Sequence, residues 1–348
     1  MPYDIAVIPG DGIGNEVVPV AQQVLETVGS SHGIDFTWHP VDWGCEYYTR
    51  TGEMMPKDGM AQLAERDAIF LGAVGYPGVP DHVSLWGLLI PIRRTFRQSV
   101  NYRPIKLFNG LESPLRTAGD LDFVVVRENN EGEYSEIGGR LYHGLDEEIA
   151  IQESVFTRRG VQSVMRYAFD LAANRRGELV SATKSNGIIH TMPFWDEMLT
   201  EVSAEYPDIS TAKYHIDALS AYFVLRPETL DVVVASNLFG DILSDLGAAV
   251  AGSIGIAPSG NIDPSREHPS MFEPVHGSAP DIAGQGIANP IGQIWSGALM
   301  LEHLGHPEAA AAIMTAMEQV LAEGGPRTPD LGGNATTREV TDAVLGAL

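Results

Sequence analysis

Residues 3–18 read YDIAVIPGDGIGNEVV, and this stretch decides the fold. The apolar run at 5–8 passes through a glycine-rich turn at 9–14 into a helical pattern over 15–29. Glycine permits the tight backbone path of such a turn, and a strand, a turn and a helix in this order are typical of a mostly parallel sheet. Further apolar runs that alternate with helical patterns lie at 68–74, 123–126 and 231–236. The sequence therefore predicts an α/β fold.

Other segments add to this alternation. Clusters of glycine and proline predict surface loops at 72–81, 255–264 and 324–334. Between about 127 and 160, charged, glycine-containing, alternating stretches predict an antiparallel ribbon. Amphipathic spacing predicts helices at 160–174 and 307–323. With 348 residues the chain has the length of about two domains.

Composition narrows the classes of function. The chain holds 46 acidic and 22 basic residues, a formal charge of −24, which opposes binding to nucleic acid or to an anionic membrane. Its one cysteine, Cys45, excludes an internal disulfide framework and a zinc cluster of several thiolates, and it favours a cytoplasmic location. No leader pattern and no long apolar stretch are recognised, so neither secretion nor membrane insertion is expected.

The glycine-rich turn is a weak nucleotide motif. It reads G-x-G-x-G where a dinucleotide fingerprint has G-x-G-x-x-G, and no acidic ribose partner follows on a second strand about 20 residues later. No Gly-Lys-Ser/Thr sequence follows the turn either, which excludes a phosphate loop of the Walker type as the main interpretation.

The segment SNLFGDILSDLG at 236–247 is a sharper signal. It carries Asp241 and Asp245 one turn apart on a predicted helix, where like charges repel. A hard divalent cation such as Mg²⁺ or Mn²⁺ would remove that repulsion, while the alternative is a solvated pair near the positive start of a helix. Asp217 is a candidate third ligand, because it lies in an apolar stretch where an unpaired carboxylate is costly to bury.

Arginines recur at the ends of apolar runs, at 93, 94, 103 and 127. Arg127 follows a strand that should be buried, so its guanidinium needs an internal or an external acid. Guanidinium forks suit a dicarboxylate ligand, although each arginine taken singly is more often structural. Lys184 follows a predicted strand, where burial suits a general base, and Tyr134 is a candidate proton donor. A solvated lysine and a core tyrosine are the alternatives.

Together these motifs resemble the β-decarboxylating dehydrogenases, the family of isopropylmalate, isocitrate, homoisocitrate, tartrate and D-malate dehydrogenases. The resemblance covers essentially the whole chain. It rests on IPGDGIGNEV, the arginines of 93–103, VVVRENNEGEYS, ESVFTRRG, ATKSNG, SNLFGDILSDL, EPVHGSAPDIAGQGIANP and TPDLGGNATT.

The resemblance implies an isopropylmalate-dehydrogenase-like α/β fold, with mixed sheets flanked by helices and without a standard Rossmann domain. The first of two domains would comprise 1–99 and 252–348 and carry the NAD-binding loop. The second would comprise 100–251 and carry the metal-binding aspartates. An arm at about 135–155 would interlock two subunits of a homodimer.

In this family NAD is held by a loop, and not by the glycine-rich turn. The corresponding residues here are His276, Gly277, Ser278, Ala279, Pro280, Asp281 and Ile282, together with Asn289. Asp281 stands where an acid accepts the ribose hydroxyls of adenosine, and its charge would repel a 2′-phosphate. The resemblance therefore implies NAD, since the NADP-using isocitrate relatives place a Lys-Tyr pair at this point.

The resemblance also assigns the catalytic roles. The residues that would bind the substrate carboxylates are Arg93, Arg103 and Arg127. Those that would bind Mg²⁺ or Mn²⁺ are Asp241, Asp245 and, from the partner subunit, Asp217. Lys184, also from the partner subunit, would assist removal of the hydroxyl proton, and Tyr134 would protonate the enol left when CO₂ departs. Activation by K⁺ is a further family expectation, for which the sequence offers no identified site.

Substrate choice depends on the segment DHVSLWGLLIPIRR at 81–94, which departs from the best-known members and most resembles the tartrate and D-malate group. The indole of Trp86 would shrink the pocket that elsewhere holds the third substituent of the substrate. The expected reaction is NAD-dependent oxidative decarboxylation of a small 2-hydroxy diacid. D-malate would give pyruvate and CO₂, and tartrate would be oxidised or converted to glycerate.

Three alternatives stay open. The chain is instead a 3-isopropylmalate dehydrogenase if Leu88, Leu89 and Ile90 form an apolar wall of the pocket. Arg94, and not Arg93, binds a carboxylate if the spacing before the arginines is read one residue differently. The third alternative is a catalytically silent dimer that only binds metal or dinucleotide.

Overall fold

The stretch at 3–18 folds as the sequence predicts. In the computed structural model, which describes all residues from 1 to 348, it forms a buried strand and the start of a long helix. A Cβ atom at Gly14 would lie 2.1 Å from the Pro9 carbonyl oxygen and 2.8 Å from the Ala73 nitrogen. Only glycine therefore lets the helix begin directly over the end of the strand and against its neighbour.

The secondary structure alternates along the chain. The strands are β1 Tyr3–Gly10, β2 Phe36–Pro40, β3 Ala68–Ala73, β4 Val100–Lys106, β5 Asp122–Glu128, β6 Gly138–Leu141, β7 Ile149–Gln152, β8 Glu178–Thr183, β9 Ser210–His215, β10 Val232–Ala235, β11 Pro258–Ile262 and β12 Ser270–Pro274. The helices are α1 Gly14–His32, α2 Cys45–Thr51, α3 Gly59–Ala64, α4 Asp81–Ser84, α5 Ile90–Thr95, α6 Arg158–Ala173, α7 Thr191–Ser203, α8 Ile216–Leu225, α9 Asn237–Val250, α10 Ile291–His303, α11 Pro307–Ala322 and α12 Thr337–Ala347. A π-helical turn at Leu85–Leu89 joins α4 to α5. The helices predicted at 160–174 and 307–323 are confirmed as α6 and α11.

Ten strands form one mixed sheet in the order β2-β1-β3-β12-β11-β4-β5-β10-β8-β9. The strands at each end pair in parallel, and β11 and β4 in the middle pair antiparallel with each other and with their outer neighbours. The first five strands in this order come from residues before 100 and after 251, and the last five come from between them. The division into two domains at these points stays a prediction.

The prediction of a surface loop at 255–264 is wrong, because half of this segment is the buried strand β11. Its proline is the first residue of the strand, a position that does not disturb the hydrogen-bond ladder. Asn261 lies in the interior, where its side chain accepts from Asn101 and Asn129 and donates to Glu273, all between 2.7 and 2.9 Å. Glycine, proline and asparagine are typical of loops, where water forms hydrogen bonds with the backbone and the side-chain amide. In β11 other protein groups form these hydrogen bonds instead.

The antiparallel ribbon predicted between 127 and 160 is confirmed. β6 pairs with β7, with Gly138 opposite Gln152, and every residue of both strands is exposed. Large apolar side chains extend from it into solvent, including Ile137, Leu141 and Leu145. No helix in the chain combines the length and the apolar character needed to cross a bilayer.

Candidate active site

Helix α9 brings three polar side chains to one face. Asn237, Asp241 and Asp245 are separated by four residues each, so they lie above one another along the helix. A Cβ atom at Gly240 would lie 2.6 Å from the Cβ of Arg127, so only glycine allows the helix to pack this closely on β5. The predicted helical placement of the two aspartates is therefore confirmed, and the helix faces the arginine on the neighbouring strand.

Two buried arginines converge on Asp241. Arg127 ion-pairs with one carboxylate oxygen of Asp241 and donates to the Asn237 side-chain oxygen from Nη2 at 2.7 Å and from Nε at 3.1 Å. Arg103 donates from Nη1 to the same Asp241 oxygen at 3.2 Å and to the Ser244 hydroxyl at 2.7 Å. The side chains of the two arginines are only 3% and 8% exposed, so these internal partners offset the cost of burying their charges.

The two aspartates differ in charge environment. Burial raises the pKa of Asp241, but the nearby Arg127 and Arg103 outweigh burial and hold it below its usual range. Burial raises the pKa of Asp245, and Arg103, with its Nη1 3.7 Å from the carboxylate, does not compensate fully. The carboxylate oxygens of Asp241 and Asp245 suit a hard divalent cation, which prefers carboxylates and water as ligands. Two carboxylates supply only part of the six or more ligands such an ion takes.

Tyr134 completes this arginine–aspartate cluster, which we define as Arg103, Arg127, Tyr134, Asp241 and Asp245. The Tyr134 hydroxyl donates to the second carboxylate oxygen of Asp241 at 2.9 Å, and the Arg127 guanidinium lies 5.6 Å from the centre of its ring. Burial and the neighbouring Asp241 raise the pKa of Tyr134, so its proton is held firmly. The hydroxyl is thus a proton donor next to the carboxylate that the arginines also contact.

Arg93 and Arg94 point in different directions. Arg93 is buried, and its Nη2 donates to Glu273 at 2.9 Å, while its Nε has no partner. Arg94 is partly exposed and donates to the Tyr134 carbonyl oxygen at 3.1 Å and to Glu136 at 3.2 Å. Arg93 therefore has a free buried donor for a ligand, and Arg94 holds the backbone of Tyr134.

Trp86 lies in the π-helical turn, half-buried, with the Arg94 guanidinium 5.1 Å from the centre of its ring. The alternative of a 3-isopropylmalate dehydrogenase required an apolar wall formed by Leu88, Leu89 and Ile90, and two of these three side chains are buried in the protein. Leu88 has no exposed surface because it packs in the core, and Ile90 is also buried. A helical turn places only one of three consecutive side chains toward a given face, which leaves Leu89 alone partly exposed.

Lys184 and Asp217 form a separate pair. The Lys184 ammonium lies 2.7 Å from the Asp217 carboxylate, and the hydrogen bond from Lys184 holds the pKa of Asp217 below its usual range. Lys184 follows β8 directly, as predicted, and Asp217 is in the first turn of α8. Within one chain no group of three His, Cys, Asp or Glu side chains is arranged to hold a metal ion. Asp217 does not join Asp241 and Asp245 in such a group.

The segment expected to bind the dinucleotide, 276–289, contains turns and no regular helix or strand. The Asp281 side chain is exposed and makes no hydrogen bond within the chain. The Nε2 atom of His276 is buried without a partner, and burial lowers the pKa of this histidine and favours its neutral form. Asn289 is already committed, because it donates to Asp330 at 3.0 Å and accepts from the Ile291 nitrogen at 3.0 Å. A free carboxylate and an unpaired imidazole nitrogen fit a nucleotide ligand.

Sequence reasoning missed the residues that hold the arginines in place. Asn237, Ser244 and Glu273 each accept from a buried guanidinium. The signal for Asn237 was present, since it precedes Asp241 by one helical turn. Glu273 had no local signal, because it reaches Arg93 only through the pairing of β12 with the rest of the sheet.

Comparison with known proteins agrees with this architecture. Residues 4–344 match the isocitrate/isopropylmalate dehydrogenase family. The chain is 58% identical to a probable tartrate dehydrogenase/decarboxylase of Bacillus subtilis (strain 168), over 99% of this chain and 98% of the relative. It is 56% identical to a D-malate dehydrogenase [decarboxylating] of Escherichia coli (strain K12), over 98% and 97%. A crystal structure of isocitrate dehydrogenase from Methylococcus capsulatus superposes with a TM-score of 0.89 at 34% identity, over 99% of both chains.

The chain belongs to the isocitrate/isopropylmalate dehydrogenase family and is an oxidoreductase that acts on CH–OH donors. The expected fold class and family are thereby confirmed. Members of this family generally use NAD(P) and a divalent metal, act on small dicarboxylates and are typically oligomeric.

Proposed function

We propose that the protein is an NAD-dependent, divalent-metal-dependent dehydrogenase of small 2-hydroxy diacids. It oxidatively decarboxylates D-malate to pyruvate and CO₂, and it oxidises or decarboxylates tartrate. The observation that carries the proposal is the convergence of two buried arginines and the Tyr134 hydroxyl on Asp241. This arrangement combines two cations for the carboxylates of a diacid, a carboxylate for a metal ion and a proton donor in one place. The names of the relatives from Bacillus subtilis and Escherichia coli support these two substrates.

The arginines bind and orient the substrate. Arg103 and Arg127 face the same carboxylate of Asp241 from two strands, and a diacid entering the cluster exchanges that contact for its own carboxylates. Arg93 contributes its unpaired Nε from the side of Glu273. We place Arg93, and not Arg94, in this role because Arg94 is already bonded to the Tyr134 backbone and covered by Trp86.

Asp241 and Asp245, with Asp217 of a second subunit, would hold Mg²⁺ or Mn²⁺. When bound, the ion supplies Lewis acidity that stabilises negative charge on the substrate oxygens. NAD⁺ would supply the hydride acceptor, and with D-malate the overall reaction converts D-malate and NAD⁺ into pyruvate, CO₂ and NADH. The activation by K⁺ that the family resemblance implies belongs to the same proposal.

Two side chains of the protein move protons. Lys184 would accept the hydroxyl proton, as hydride leaves carbon 2, in the neutral amine form left after its ammonium has given up a proton to water. Its contact with Asp217 holds its Nζ beside the metal-binding acid. Tyr134 then gives its proton to the carbon that has lost CO₂. Its raised pKa, caused by burial and by Asp241, keeps the hydroxyl protonated until that step.

The dinucleotide would lie along 276–282 and at Asn289. The exposed Asp281 carboxylate would accept the ribose hydroxyls and repel a 2′-phosphate, which selects NAD over NADP. The neutral imidazole of His276 has one buried nitrogen free for a hydrogen bond to the ligand.

The working unit would be a homodimer. Exposed apolar side chains follow Lys184 at Ile188 and Ile189 and lie at the end of α8, the helix of Asp217, at Val224 and Leu225. Ile242 is likewise exposed on α9, between the two aspartates of the cluster. Apolar patches of this kind mark surfaces that another protein covers. A second copy covering them would bring its Lys184 and Asp217 to the arginine–aspartate cluster of the first. A cytoplasmic location, which the single cysteine favours, is part of the same proposal.

The test is the rate of NADH formation from D-malate, the tartrate isomers, 3-isopropylmalate and isocitrate, measured with Mn²⁺ and K⁺. We expect the highest kcat/KM with D-malate or a tartrate, loss of activity with EDTA and weak activity with NADP⁺. Omission of K⁺ tests the monovalent activation separately. A higher kcat/KM with 3-isopropylmalate would keep the chemistry and overturn the proposed substrate.

A further inference from the structure

The glycine-rich turn that opens the chain has no role in the function proposed above. The structure nevertheless brings it against the segment 276–289, which has no regular secondary structure of its own. Such a segment keeps one conformation only through its contacts with the rest of the protein. The contacts made by the turn and the first helical residues after it are therefore informative.

The first contact fixes the start of the segment. The backbone nitrogen of Ile13 donates to the Ser278 carbonyl oxygen at 2.9 Å. Gly12 has a φ of +54°, and a Cβ atom at this position would lie 2.1 Å from that same oxygen. The turn thus needs glycine at residue 12 both for its backbone conformation and for the approach of Ser278.

The second contact is apolar. Ile13, Val17 and Ala288 are buried together, and Ala279 and Ile282 pack against them. Ala279 has a φ of +40°, in the left-handed region that a side chain disfavours. Such a conformation persists only where its surroundings hold it, and here the surroundings are the turn and the first turn of α1.

The third contact fixes the end of the segment. The Glu16 carboxylate accepts from the Gly284 nitrogen at 2.5 Å and from the Gly286 nitrogen at 2.9 Å. Both glycines have positive φ, +79° and +66°, so their N–H groups converge on one carboxylate in the manner of a backbone anion site. Gly286 is held from the other side, where its carbonyl oxygen accepts from the Thr337 nitrogen at 2.8 Å.

We propose that Glu16 is a positioning residue of the dinucleotide site, which pre-forms the 276–289 segment by binding the backbone N–H groups of Gly284 and Gly286. The inference rests on the proposed use of NAD by this segment. A segment that is already ordered loses less conformational entropy when a ligand binds, so it binds more tightly. The G-x-G-x-G turn therefore serves the nucleotide indirectly, through the segment it supports.

The substitution Glu16→Gln isolates this contact. Glutamine has the same shape but only one acceptor oxygen, and its NH₂ group would face a backbone N–H that is also a donor. It also removes a negative charge from the vicinity of a negatively charged ligand, which by itself strengthens binding. Weaker binding would therefore report the lost anchor and not the change in charge.

The matched control is Glu26→Gln. Glu26 lies on the same helix, and its carboxylate accepts from the Trp38 ring nitrogen at 2.9 Å, a bond that glutamine retains. The control makes the same change in net charge without a contact to 276–289. Thermal unfolding of the three proteins shows whether each is folded.

Two measurements test the proposal. We expect the Kd of NADH, followed by its fluorescence, to rise about tenfold in Glu16→Gln, the equivalent of about 1.4 kcal/mol, and to stay unchanged in Glu26→Gln. We expect the KM of the diacid to change little. We also expect faster amide hydrogen exchange of the peptide that contains Gly284 and Gly286 in the ligand-free variant.

The outcomes separate this proposal from the proposed function. Unchanged NADH affinity together with unchanged exchange would overturn the role of Glu16 while the function stands. A wild-type protein that fails to bind NADH would overturn both the proposed cofactor and the positioning role. Hydrogen exchange would then still show whether Glu16 holds the segment.

Discussion

The arginine–aspartate cluster and the Lys184–Asp217 pair differ in how completely one chain surrounds them. In the cluster, the side chains of Arg103 and Arg127 are 8% and 3% exposed, and each has several partners within the chain. In the pair, the Lys184 side chain is 30% exposed and that of Asp217 is 70% exposed. In the cluster, folding of one chain supplies partners for both buried guanidinium groups. The Lys184–Asp217 pair remains accessible to solvent within one chain.

This difference follows from the cost of burying charge. A guanidinium excluded from water must have acceptors, so the strands and α9 that bury Arg127 must also supply them. An exposed ion pair is satisfied by water and contributes little to stability, so folding does not require its position. The position of the Lys184–Asp217 pair therefore points to a role outside the single chain, such as contact with the second subunit proposed above.

The largest expected effect is on kcat, when one residue of each region is altered in a separate variant. Lys184→Ala removes the proton acceptor, and Asp245→Asn removes a metal ligand but leaves Asp241 to neutralise the arginines. Each homodimer should lose about 100-fold or more in kcat. If sites are shared, a heterodimer of the two variants contains one intact site and one doubly altered site. Its activity should therefore return to about half of the wild-type value.

Differently tagged copies, co-expressed and purified on both tags, would provide this heterodimer. A wild-type heterodimer carrying the same two tags is the control for the tags. A heterodimer as inactive as the two homodimers, with the same unfolding temperature as the wild-type heterodimer, would show that Lys184 and Asp245 act within one chain. That result would overturn the sharing of the active site.

A smaller effect is expected on stability. Asn237→Ala leaves the buried Arg127 without the oxygen that accepts from its Nε and Nη2. We expect the free energy of unfolding to fall by about 1 to 3 kcal/mol, the cost of leaving a buried donor unpaired. Asp217→Asn is the control, and it should cost less than about 1 kcal/mol, because the side chain is exposed within its own chain and an asparagine keeps an oxygen that accepts from Lys184. Denaturant unfolding at one fixed protein concentration compares them. Equal losses in both variants would contradict the contrast between the two regions.

The sequence predicted those parts of the site that follow from local spacing. Asp241 and Asp245 share a helix, and Lys184 directly follows a strand, so periodicity alone placed them. The family resemblance supplied what spacing does not, namely that Arg103, Arg127 and Tyr134 belong with these aspartates. The structure brings all of them together at Asp241.

Contacts between distant parts of the chain were beyond sequence reasoning. The support that Glu16 gives to Gly284 and Gly286 joins residues about 270 positions apart, and no local pattern indicates it. The strand at 258–262 was missed for a related reason. Its glycine, proline and asparagine are typical of loops, and only the neighbouring strands show that their polar groups are satisfied in the interior.

The smallest expected effect concerns Trp86, which lies between the two extremes of burial. If its bulk limits the pocket, Trp86→Leu should move the ratio of kcat/KM for 3-isopropylmalate over D-malate upward by about tenfold. The structure offers a competing explanation, because the indole also covers Arg94, which holds the Tyr134 carbonyl. Arg94→Lys separates the two, since a lysine cannot donate in parallel to the Tyr134 carbonyl and the Glu136 carboxylate, and it leaves the indole in place. It should lower kcat for both substrates without changing their ratio. The same change in ratio in both variants would show that Trp86 acts through Arg94 and Tyr134, and not by filling the pocket.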